Sequence, residues 1–325
     1  MNSVGTGKSF LGLVSPLALA AGLMCNAPAM AADTPVAIGV SGWTGFAPLT
    51  LADKAGIFKR HGLDVTLKMI PQKDRHLAIA SGDVQCAGTT VETYISWNAS
   101  GVPITQIVQL DKSFGADGLV VRNNINSIKD LKGKTISVDA PGTSPYFTLA
   151  WMLDKNGMSL KDVKITTLAP DAAAQSFIAG SNDAAMTYEP YLSSVRQNPA
   201  KGKILATTLD YPMVMDTLGC TPAFLKKNPQ AAKALVESYF DALDMIRKEP
   251  DKSNEIMGAA VKESGKAFAE ESSYLRWQDR AQNKAFFSGE IKSFEEEAAN
   301  LLLQMKVIRK KPDLDALYDA SYVNQ

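Results

Sequence analysis

Downstream of residue 35, the sequence alternates short apolar runs with longer segments whose apolar residues recur every three or four positions. The runs at 36–40 and 135–138 are rich in Val, Ile and Thr, which is typical of buried strands. Leu49, Ala52 and Ile57 follow the spacing of one helix face. Strands that alternate with helices in this way form parallel sheets with right-handed crossovers. The pattern therefore predicts an α/β protein.

This order of elements occurs twice in the chain. Three segments recur in sequence, at offsets of 98, 98 and 99 residues: 36–45 as 134–143, 63–71 as 161–170, and 79–92 as 178–190. Each copy has the order strand, loop, helix, strand, helix, strand. The duplication predicts two similar α/β lobes rather than one large sheet. In this alignment Glu189 takes the position of Thr90.

The stretches between the copies predict how the lobes are joined. Strand-like runs flank the polar loop 111–117, which predicts a first crossing, and a further run leads through 209–216 into the C-terminal part. We therefore expect lobe 1 to comprise 32–117 and 210–325, and lobe 2 to comprise 118–209. The helical pattern from residue 229 onward predicts helices that pack on lobe 1, with a solvated helix start at 295–297. These predicted helices span 231–247, 251–263, 270–287, 294–305 and 314–322.

The N-terminus predicts export. Lys8 precedes an apolar run at 10–24 that carries no charge, and Ala29-Met30-Ala31 gives the small-x-small pattern of a signal peptidase site. We expect a signal peptide at 1–31, cleaved near Ala31, and release into the periplasm. Met24 precedes Cys25, where a lipoprotein signal would have a small residue, so soluble release is favoured.

The net charge of the chain and its reactive side chains limit the partners and the kinds of site that we expect. The chain has 34 basic and 34 acidic residues, which argues against nucleic acid or an anionic membrane as the main partner. Cys86 and Cys220 are far apart; two buried, unpaired thiols are favoured over a disulfide, which remains possible in an oxidising compartment. His61 and His76 are interpreted as surface residues on helices. No metal and no cofactor is predicted.

Loops at the carboxyl ends of the predicted strands are the candidate ligand site, because open α/β sheets bind ligands there. Five such loops would face one another across a cleft: 41–46, 88–90, 111–117, 140–146 and 187–190. Two of them are Gly/Ser/Thr-rich turns that open a helix, where free N–H groups suit an anion or a polarised oxygen. The alternative is that Thr44 and Ser144 only cap helices. No phosphate-binding motif is present, so nucleotides are not expected.

A family resemblance covers the whole chain after residue 31. The run GWTGFAPLTLADKAGIFKRHGLDV, followed by ASGDVQCAGTT, ADGLVV, DLKGKTISV, GTSPYF and TYEPYLS, resembles the periplasmic binding proteins of nitrate, sulfonate and taurine importers. This group includes relatives similar to the yeast thiamine-pyrimidine proteins. The resemblance implies a two-lobed, type II periplasmic binding protein with two strands crossing at the hinge, which delivers solute to an ATP-driven permease. It implies ligand contacts at Ser41, Trp43, Phe46, Thr89, Thr90, Thr143, Ser144, Tyr146 and Glu189.

Acidic residues in the candidate loops indicate which charge the ligand carries. A sulfonate or nitrate site needs Arg, Lys or several converging N–H donors, yet the candidate loops contain no Arg and only Lys112. They contain Asp111, Asp117 and Glu189, and Asp216 follows the second crossing. Carboxylates among aromatic rings fit an ammonium or guanidinium group. A role at the hinge or as a helix cap is the alternative for each acid.

Two ligand classes are therefore open. A zwitterion such as taurine would place its sulfonate at the helix starts and its amine at the acids. A cationic or neutral amine-like solute, or an aromatic heterocycle, would use acids and rings alone. The predicted ligand-binding residues are Ser41, Trp43, Thr44, Phe46, Thr89, Thr90, Phe114, Asp117, Thr143, Ser144, Tyr146, Tyr188, Glu189 and Asp216.

A monomeric transport protein is the favoured function, and three other classes of protein are the alternatives. An enzyme of the same fold, like the pyrimidine-precursor synthases, would need reactive groups, and no GxSxG, HExxH or CxxC motif is present. The two histidines lie away from the candidate loops. A pyrimidine-precursor-related binding protein, or a receptor that presents bound solute to a signalling protein, is a further alternative.

Overall fold

A computed structural model describes residues 5, 7, 8 and 32–324 of the chain. The predicted signal peptide lies outside these residues except at positions 5, 7 and 8. Within the described part, no helix is both long and apolar enough to cross a lipid bilayer. The chain from Asp33 onward forms one unit, and its strands form two sheets.

The first sheet, which we call lobe 1 together with its helices, has the strand order β11-β4-β10-β3-β1-β2. Its strands are β1 (Thr34–Val40), β2 (Leu63–Met69), β3 (Cys86–Thr90), β4 (Thr105–Ser113), β10 (Met215–Cys220) and β11 (Leu275–Trp277). The second sheet, in lobe 2, has the order β7-β6-β8-β5-β9. Its strands are β5 (Asp117–Val121), β6 (Thr135–Val138), β7 (Lys164–Thr167), β8 (Ala184–Tyr188) and β9 (Lys203–Thr207).

The two sheets repeat one topology. In lobe 1, β3 pairs parallel with β1 and antiparallel with β10. In lobe 2, β8 pairs parallel with β6 and antiparallel with β5. The two-lobed α/β fold is confirmed, and its topology follows the duplication read from the sequence.

The register corrects one detail of that duplication. Ile38 pairs with Cys86 in lobe 1, and Ile136 pairs with Ala184 in lobe 2, so the offset is 98 residues in both strands. The lobe 2 equivalent of Thr90 is therefore Tyr188. The predicted equivalence with Glu189 is wrong by one residue, which matters because a shift of one residue in a strand turns a side chain to the opposite face.

Two connections cross between the lobes. The chain leaves lobe 1 at the end of β4, Ser113, and enters lobe 2 at Asp117; it returns between Thr207 and Met215. The predicted boundary after residue 117 thus lies one residue inside β5, and the boundary after residue 209 lies within the return connection.

Helices cover the faces of both sheets. Their bounds are α1 (Ala47–Lys54), α2 (Ile57–Arg60), α3 (Gln72–Ser81), α4 (Val91–Ala99), α5 (Ser144–Lys155), α6 (Pro170–Ile178), α7 (Tyr191–Arg196), α8 (Pro222–Lys227), α9 (Pro229–Lys248), α10 (Pro250–Ala260), α11 (Gly265–Ser272), α12 (Arg280–Ala285) and α13 (Ile291–Gln304). Leu235 and Tyr239 of α9 lie in one apolar core with Leu51 and Phe58 of lobe 1. The predicted packing of the C-terminal helices on lobe 1 is confirmed.

The C-terminal region differs from the prediction at three places. The predicted helix 270–287 is interrupted by β11, which pairs with β4 through Leu275 and Ser113. The predicted helix 314–322 is instead a pair of 3₁₀ turns, Leu314–Ala316 and Ala320–Tyr322. Glu295 is fully buried rather than solvated, and burial raises its pKa to about 8.

Cys86 and Cys220 form a disulfide, so the favoured prediction of two unpaired thiols is wrong. The two residues face each other directly in the antiparallel pair β3–β10, with a Cα–Cα distance of 4.0 Å. Sequence separation concealed this proximity, since the two residues are 134 positions apart. The bond ties the third strand of the first copy, β3, to β10, the strand that follows the return from lobe 2.

Candidate functional site

An inner cavity lies where the two lobes meet, at the carboxyl ends of β1, β3 and β8 and the starts of β5 and β10. Its water-accessible volume is about 20 Å³, room for about one water molecule. A larger solute therefore fits only if the walls of the cavity move apart. Its lining residues are Ser41, Trp43, Phe46, Gln72, Arg75, Thr89, Thr90, Asp117, Ser144, Tyr188, Val214 and Asp216.

Trp43 joins the wall of lobe 1 to lobe 2. Its indole Nε1–H donates to both carboxylate oxygens of Asp111, at 3.2 and 3.3 Å. The ring meets Tyr188 of lobe 2 edge-on, with centroids 5.4 Å apart. Gly45 leaves room for this arrangement, because a Cβ there would lie 2.1 Å from Asp111 Oδ2. The Trp-Thr-Gly sequence therefore positions an aromatic wall.

Gln72, the first residue of α3, also bridges the lobes. Its Nε2 donates to Thr89 Oγ1 at 2.8 Å, and its Oε1 accepts the backbone N–H of Ser144 in lobe 2 at 3.3 Å. Nearby, Thr90 donates to the buried carboxylate of Glu92. Burial raises the pKa of Glu92 to about 7. The hydrogen bond between Gln72 and Ser144 holds the two lobes close to each other around the cavity.

Two carboxylates of the crossing strands line the cavity. Asp117 and Asp216 are only 2% and 3% exposed. Burial raises the pKa of Asp117 to about 7. Burial also raises the pKa of Asp216 well above its ordinary value, and the neighbouring carboxyl of Asp111 raises it further. Each group is thus held where its ionised form lacks both water and a neutralising partner.

Arg75 lies in the cavity wall, and the sequence analysis missed it. Its side chain extends from α3 and is 1% exposed; Nη2 and Nε donate to Ile70 O, and Nη1 donates to Gly88 O. Burial lowers the pKa of the guanidinium to about 10, so it stays charged at neutral pH. Arg75 lies on a helix and not in one of the candidate loops. It stands four residues before Ile79, on the buried face of α3, and this spacing is the sequence signal that points to its burial.

The structure brings nine of the predicted site residues to the inner cavity. These nine are Ser41, Trp43, Phe46, Thr89, Thr90, Asp117, Ser144, Tyr188 and Asp216. It adds Gln72, Arg75 and Val214, which the sequence analysis did not select. The other five predicted residues do not line the cavity, each for a local reason.

Glu189 is the clearest of these corrections. It is fully buried, but its carboxylate forms an ion pair with Arg196 and accepts the backbone N–H of Ser193 at 2.9 Å. Arg196 in turn lies over the ring of Tyr274, 4.0 Å from its centroid. Glu189 therefore anchors the start of α7 instead of facing the cavity.

Thr44, Phe114, Thr143 and Tyr146 also lie outside the cavity. Thr44 is buried in the 3₁₀ turn before α1, and Thr143 donates to Ala140 O within its own loop. Phe114 is 47% exposed beneath Arg276. Tyr146 lines a separate groove beside α13. Of the two proposed helix caps, neither Thr44 nor Ser144 makes a side-chain cap bond; Ser144 lines the cavity, where its hydroxyl lies beside the carboxyl of Glu92.

An outer chamber with a water-accessible volume of about 290 Å³ adjoins the inner cavity and shares Ser41, Gln72 and Tyr188 with it. Asp139 and Asp171 are its charged lining residues, and no Lys or Arg is found among the described residues that line it. The side chains that line this chamber are therefore acidic or uncharged.

A family description matches the part of the chain that builds this site. The match is to "NMT1/THI5 like" and covers residues 43–253, well over half of the chain. The chain belongs to the NMT1/THI5-like family. The matched stretch includes both crossings, all of lobe 2 and every residue that lines the inner cavity except Ser41.

Named relatives of this family member are binding proteins. A Bacillus subtilis (strain 168) protein named for aliphatic sulfonate binding is 26% identical over 98% of this chain and 96% of its own length. A Brucella abortus (strain 2308) protein, named as a binding protein without a stated ligand, is 25% identical over 72% of this chain and 74% of its own. The resemblance to importer binding proteins is thereby confirmed at the level of the family.

Solved structures show the same fold. The alkanesulfonate-binding protein SsuA from Xanthomonas axonopodis pv. citri, bound to MOPS, matches with a TM-score of 0.76 over 89% of this chain and 99% of its own. Its sequence identity is 16%, so the similarity establishes the two-lobed architecture and leaves the ligand open.

Proposed function

We propose that this protein is the solute-binding component of an ATP-driven import system, and that it encloses a small amine-bearing or zwitterionic solute between its lobes. The observation that carries the proposal is the polar cavity at the lobe junction, whose walls come from both lobes and both crossing strands. Its binding-protein relatives support the general role. In this proposal residues 1–31 are removed, and the protein acts as a periplasmic monomer that meets a permease.

Closure supplies the mechanism. Trp43 contacts Tyr188 and Gln72 contacts Ser144 across the cavity, while Lys155 of lobe 2 pairs with Glu297 of α13. A solute that touches both walls binds the closed form better than the open form, and so shifts the population toward closure. The permease then receives solute from the closed protein.

Solute capture is tested by purifying the exported protein from its host and identifying co-purified small molecules by mass spectrometry. The protein is then titrated with the identified solute, and its radius of gyration is followed by small-angle X-ray scattering. Trp43→Ala should abolish both solute retention and compaction. Phe114→Ala, which truncates an aromatic ring outside the cavity, is the matched control and should leave both intact. Solute retention that survives Trp43→Ala would contradict the proposal.

The alternatives predict other outcomes in cells. Deletion of the gene should abolish uptake of the solute if the protein serves transport, whereas a signalling receptor would leave uptake unchanged and remove the response. An enzyme of this fold would release a chemically altered solute. Neither histidine supports that alternative: His61 pairs with Asp241 and His76 lies beside Trp97, and neither lines the cavity.

A further inference from the structure

Asp117 and Asp216 are equivalent residues of the two lobes. Asp216 of β10 pairs with Thr90 of β3, and Asp117 of β5 pairs with Tyr188 of β8. Because Thr90 and Tyr188 are themselves equivalent, each lobe contributes one carboxylate from the same place in its sheet. Both carboxylates line the inner cavity.

One of these two carboxylates has an oxygen atom without a protein partner. Asp117 Oδ2 is buried and has no hydrogen-bond partner among the described residues. Ordinarily a buried polar atom has a partner, so an unpartnered one that faces a cavity indicates a missing ligand group. Asp111 and Glu92 stand behind the two aspartates and add negative potential.

Arg75 is the one cation among the described lining residues, and three of its five N–H donors are committed to backbone oxygens. Nε and Nη2, which form one of the two forks that can clamp a carboxylate or sulfonate, both donate to Ile70 O. Nη1 donates to Gly88 O. Arg75 therefore braces the loop after β2 and partly offsets the acids, and its Nε–Nη2 fork is not free to clamp an anion.

The helix starts that face the cavity are occupied as well. At the start of α5 the backbone N–H of Ser144 donates to Gln72 Oε1, and Pro145 has no N–H to give. At the start of α4, Glu92 already places a carboxylate against the positive helix end. A sulfonate or nitrate would have to displace protein oxygens at both places.

We propose that the solute is a small organic cation with N–H donors and no acidic group, such as an amidinium, guanidinium or alkylammonium ion, held between Asp117 and Asp216. The rings of Trp43, Phe46 and Tyr188 also line this cavity, and aromatic rings favour a nearby cation. A metal ion fits less well, because no group of three His, Cys, Asp or Glu in the described residues converges to ligate one. The proposal rests on the proposed function and deepens it, since it chooses one of the two ligand classes left open above.

Matched probes test the charge directly. Guanidinium and acetamidinium are titrated into the exported protein by isothermal calorimetry and thermal shift beside urea and acetamide, which share their shapes without the charge. Ethanesulfonate, nitrate and taurine, each of which carries an anionic group, are titrated in the same way and form the acidic arm of the experiment. We expect each cation to bind at least tenfold more tightly than its neutral counterpart, and the acidic arm to give no saturable binding. Equal affinity within a matched pair, or tighter binding by the acidic arm, would overturn the inference.

Isosteric variants locate the effect. Asp216→Asn and Asp117→Asn should each weaken binding of the cations by about a hundredfold, since each removes a buried charge partner. Asp251→Asn, at an exposed acid of α10, is the control and should bind as the parent does. If either variant binds the cations with an affinity within threefold of that of the parent protein, the inference is contradicted. If one variant does not fold, the other decides.

The two proposals fail in distinguishable ways. If taurine or ethanesulfonate binds saturably and Trp43→Ala abolishes that binding, the cleft is a solute site, but one for anionic or zwitterionic solutes. In that case the cation inference falls and the import function stands. Cation binding that is unaffected by Trp43→Ala, Asp117→Asn and Asp216→Asn would remove the cleft from the account altogether.

Discussion

The ends of β3 and β8 occupy equivalent places in the two lobes, and yet the acids beside them serve opposite purposes. Next to β8, Glu189 is fully buried and neutralised by Arg196. Next to β3, Asp216 is nearly as buried, but it forms no ion pair among the described residues; neighbouring carboxyls surround it, and Arg75 offsets them only in part. Burial alone does not distinguish a structural acid from a binding acid; the presence of a neutralising partner does.

The strands themselves also differ in how they are fixed. β3 is joined covalently to β10 through Cys86 and Cys220, whereas β8 is held to its neighbours by hydrogen bonds and packing. Lobe 1 thus presents its acid on a rigid, cross-linked pair of strands. Rigid support of this kind keeps the geometry of a charged site fixed when ligand is absent.

The largest expected effect comes from removing that cross-link. The double variant Cys86→Ala, Cys220→Ala should lose about 3–5 kcal/mol of unfolding free energy, as expected for a long closed loop. Denaturant unfolding measures the loss, and hydrogen exchange locates it. Amides of β3 and β10 should lose protection before those of β8. Equal loss of protection in both lobes would contradict the difference between the strands.

The second effect concerns the paired and the unpaired acid. Glu189→Gln leaves Arg196 without its partner and should cost roughly 2 kcal/mol, less than a fully buried pair because Arg196 is 25% exposed. Asp117→Asn should leave the thermal midpoint unchanged or raise it, because it removes a charge that burial disfavours. Thermal unfolding and ligand titration of both variants test this. Reversed outcomes, with stability lost at Asp117 and affinity lost at Glu189, would refute the comparison.

The third effect is a pH dependence of stability without ligand. Burial raises the pKa of Asp117 and of Glu92 to about 7, so the folded state holds protons that the unfolded state has released. Their stabilising contribution is complete below about pH 4 and is lost as pH rises through 7. The slope is about 1.4 kcal/mol per pH unit for each group that holds its proton.

Denaturant titrations between pH 4 and pH 8 follow this slope. Of the charged groups around Asp117, Arg75 stays charged in this range, whereas the pKa values of the carboxyls of Asp111, Glu92 and Asp216 are also raised, so each variant is compared with the parent protein over the whole range. Asp117→Asn should flatten the slope, while Glu189→Gln should not. A slope that stays the same in Asp117→Asn would mean that Asp117 is ionised in the folded protein throughout this range.

The smallest effect is expected at Thr90. Thr90→Val keeps the shape of the cavity wall but removes the hydroxyl that donates to Glu92. The unfolding free energy should fall by about 1 kcal/mol, and ligand affinity should fall modestly because Glu92 becomes free to move. Thermal unfolding and calorimetry check the two readouts. A loss as large as that of Glu189→Gln would place Thr90 among the structural residues of lobe 1.

The sequence predicted the architecture well because a duplication repeats the hydrophobic pattern with its spacing intact. Most of the loops that form the cavity followed from the topology. Glu189 was misassigned because the third repeat was aligned at an offset of 99, and one residue in a strand changes the face. Phe114 and Tyr146 lie in loops of the expected type, but their direction depends on packing that a linear pattern does not encode.

Arg75 and the disulfide show a second limit. Arg75 is a charged residue on a buried helix face, and composition-based reasoning assigns such residues to solvent. Its burial follows from two carbonyl oxygens, that of Ile70 just after β2 and that of Gly88 within β3, which converge only in the folded chain. Cys86 and Cys220 likewise meet only through the return of the chain from lobe 2.

A crystal structure of the purified protein with acetamidinium would test the central claim most directly. We predict density for the cation in the inner cavity, with its nitrogen atoms within about 3 Å of carboxylate oxygens of Asp117 and Asp216, and with the Glu189–Arg196 pair unchanged. A cation bound elsewhere, or an anion seated at the start of α5 after displacement of Gln72, would contradict the account.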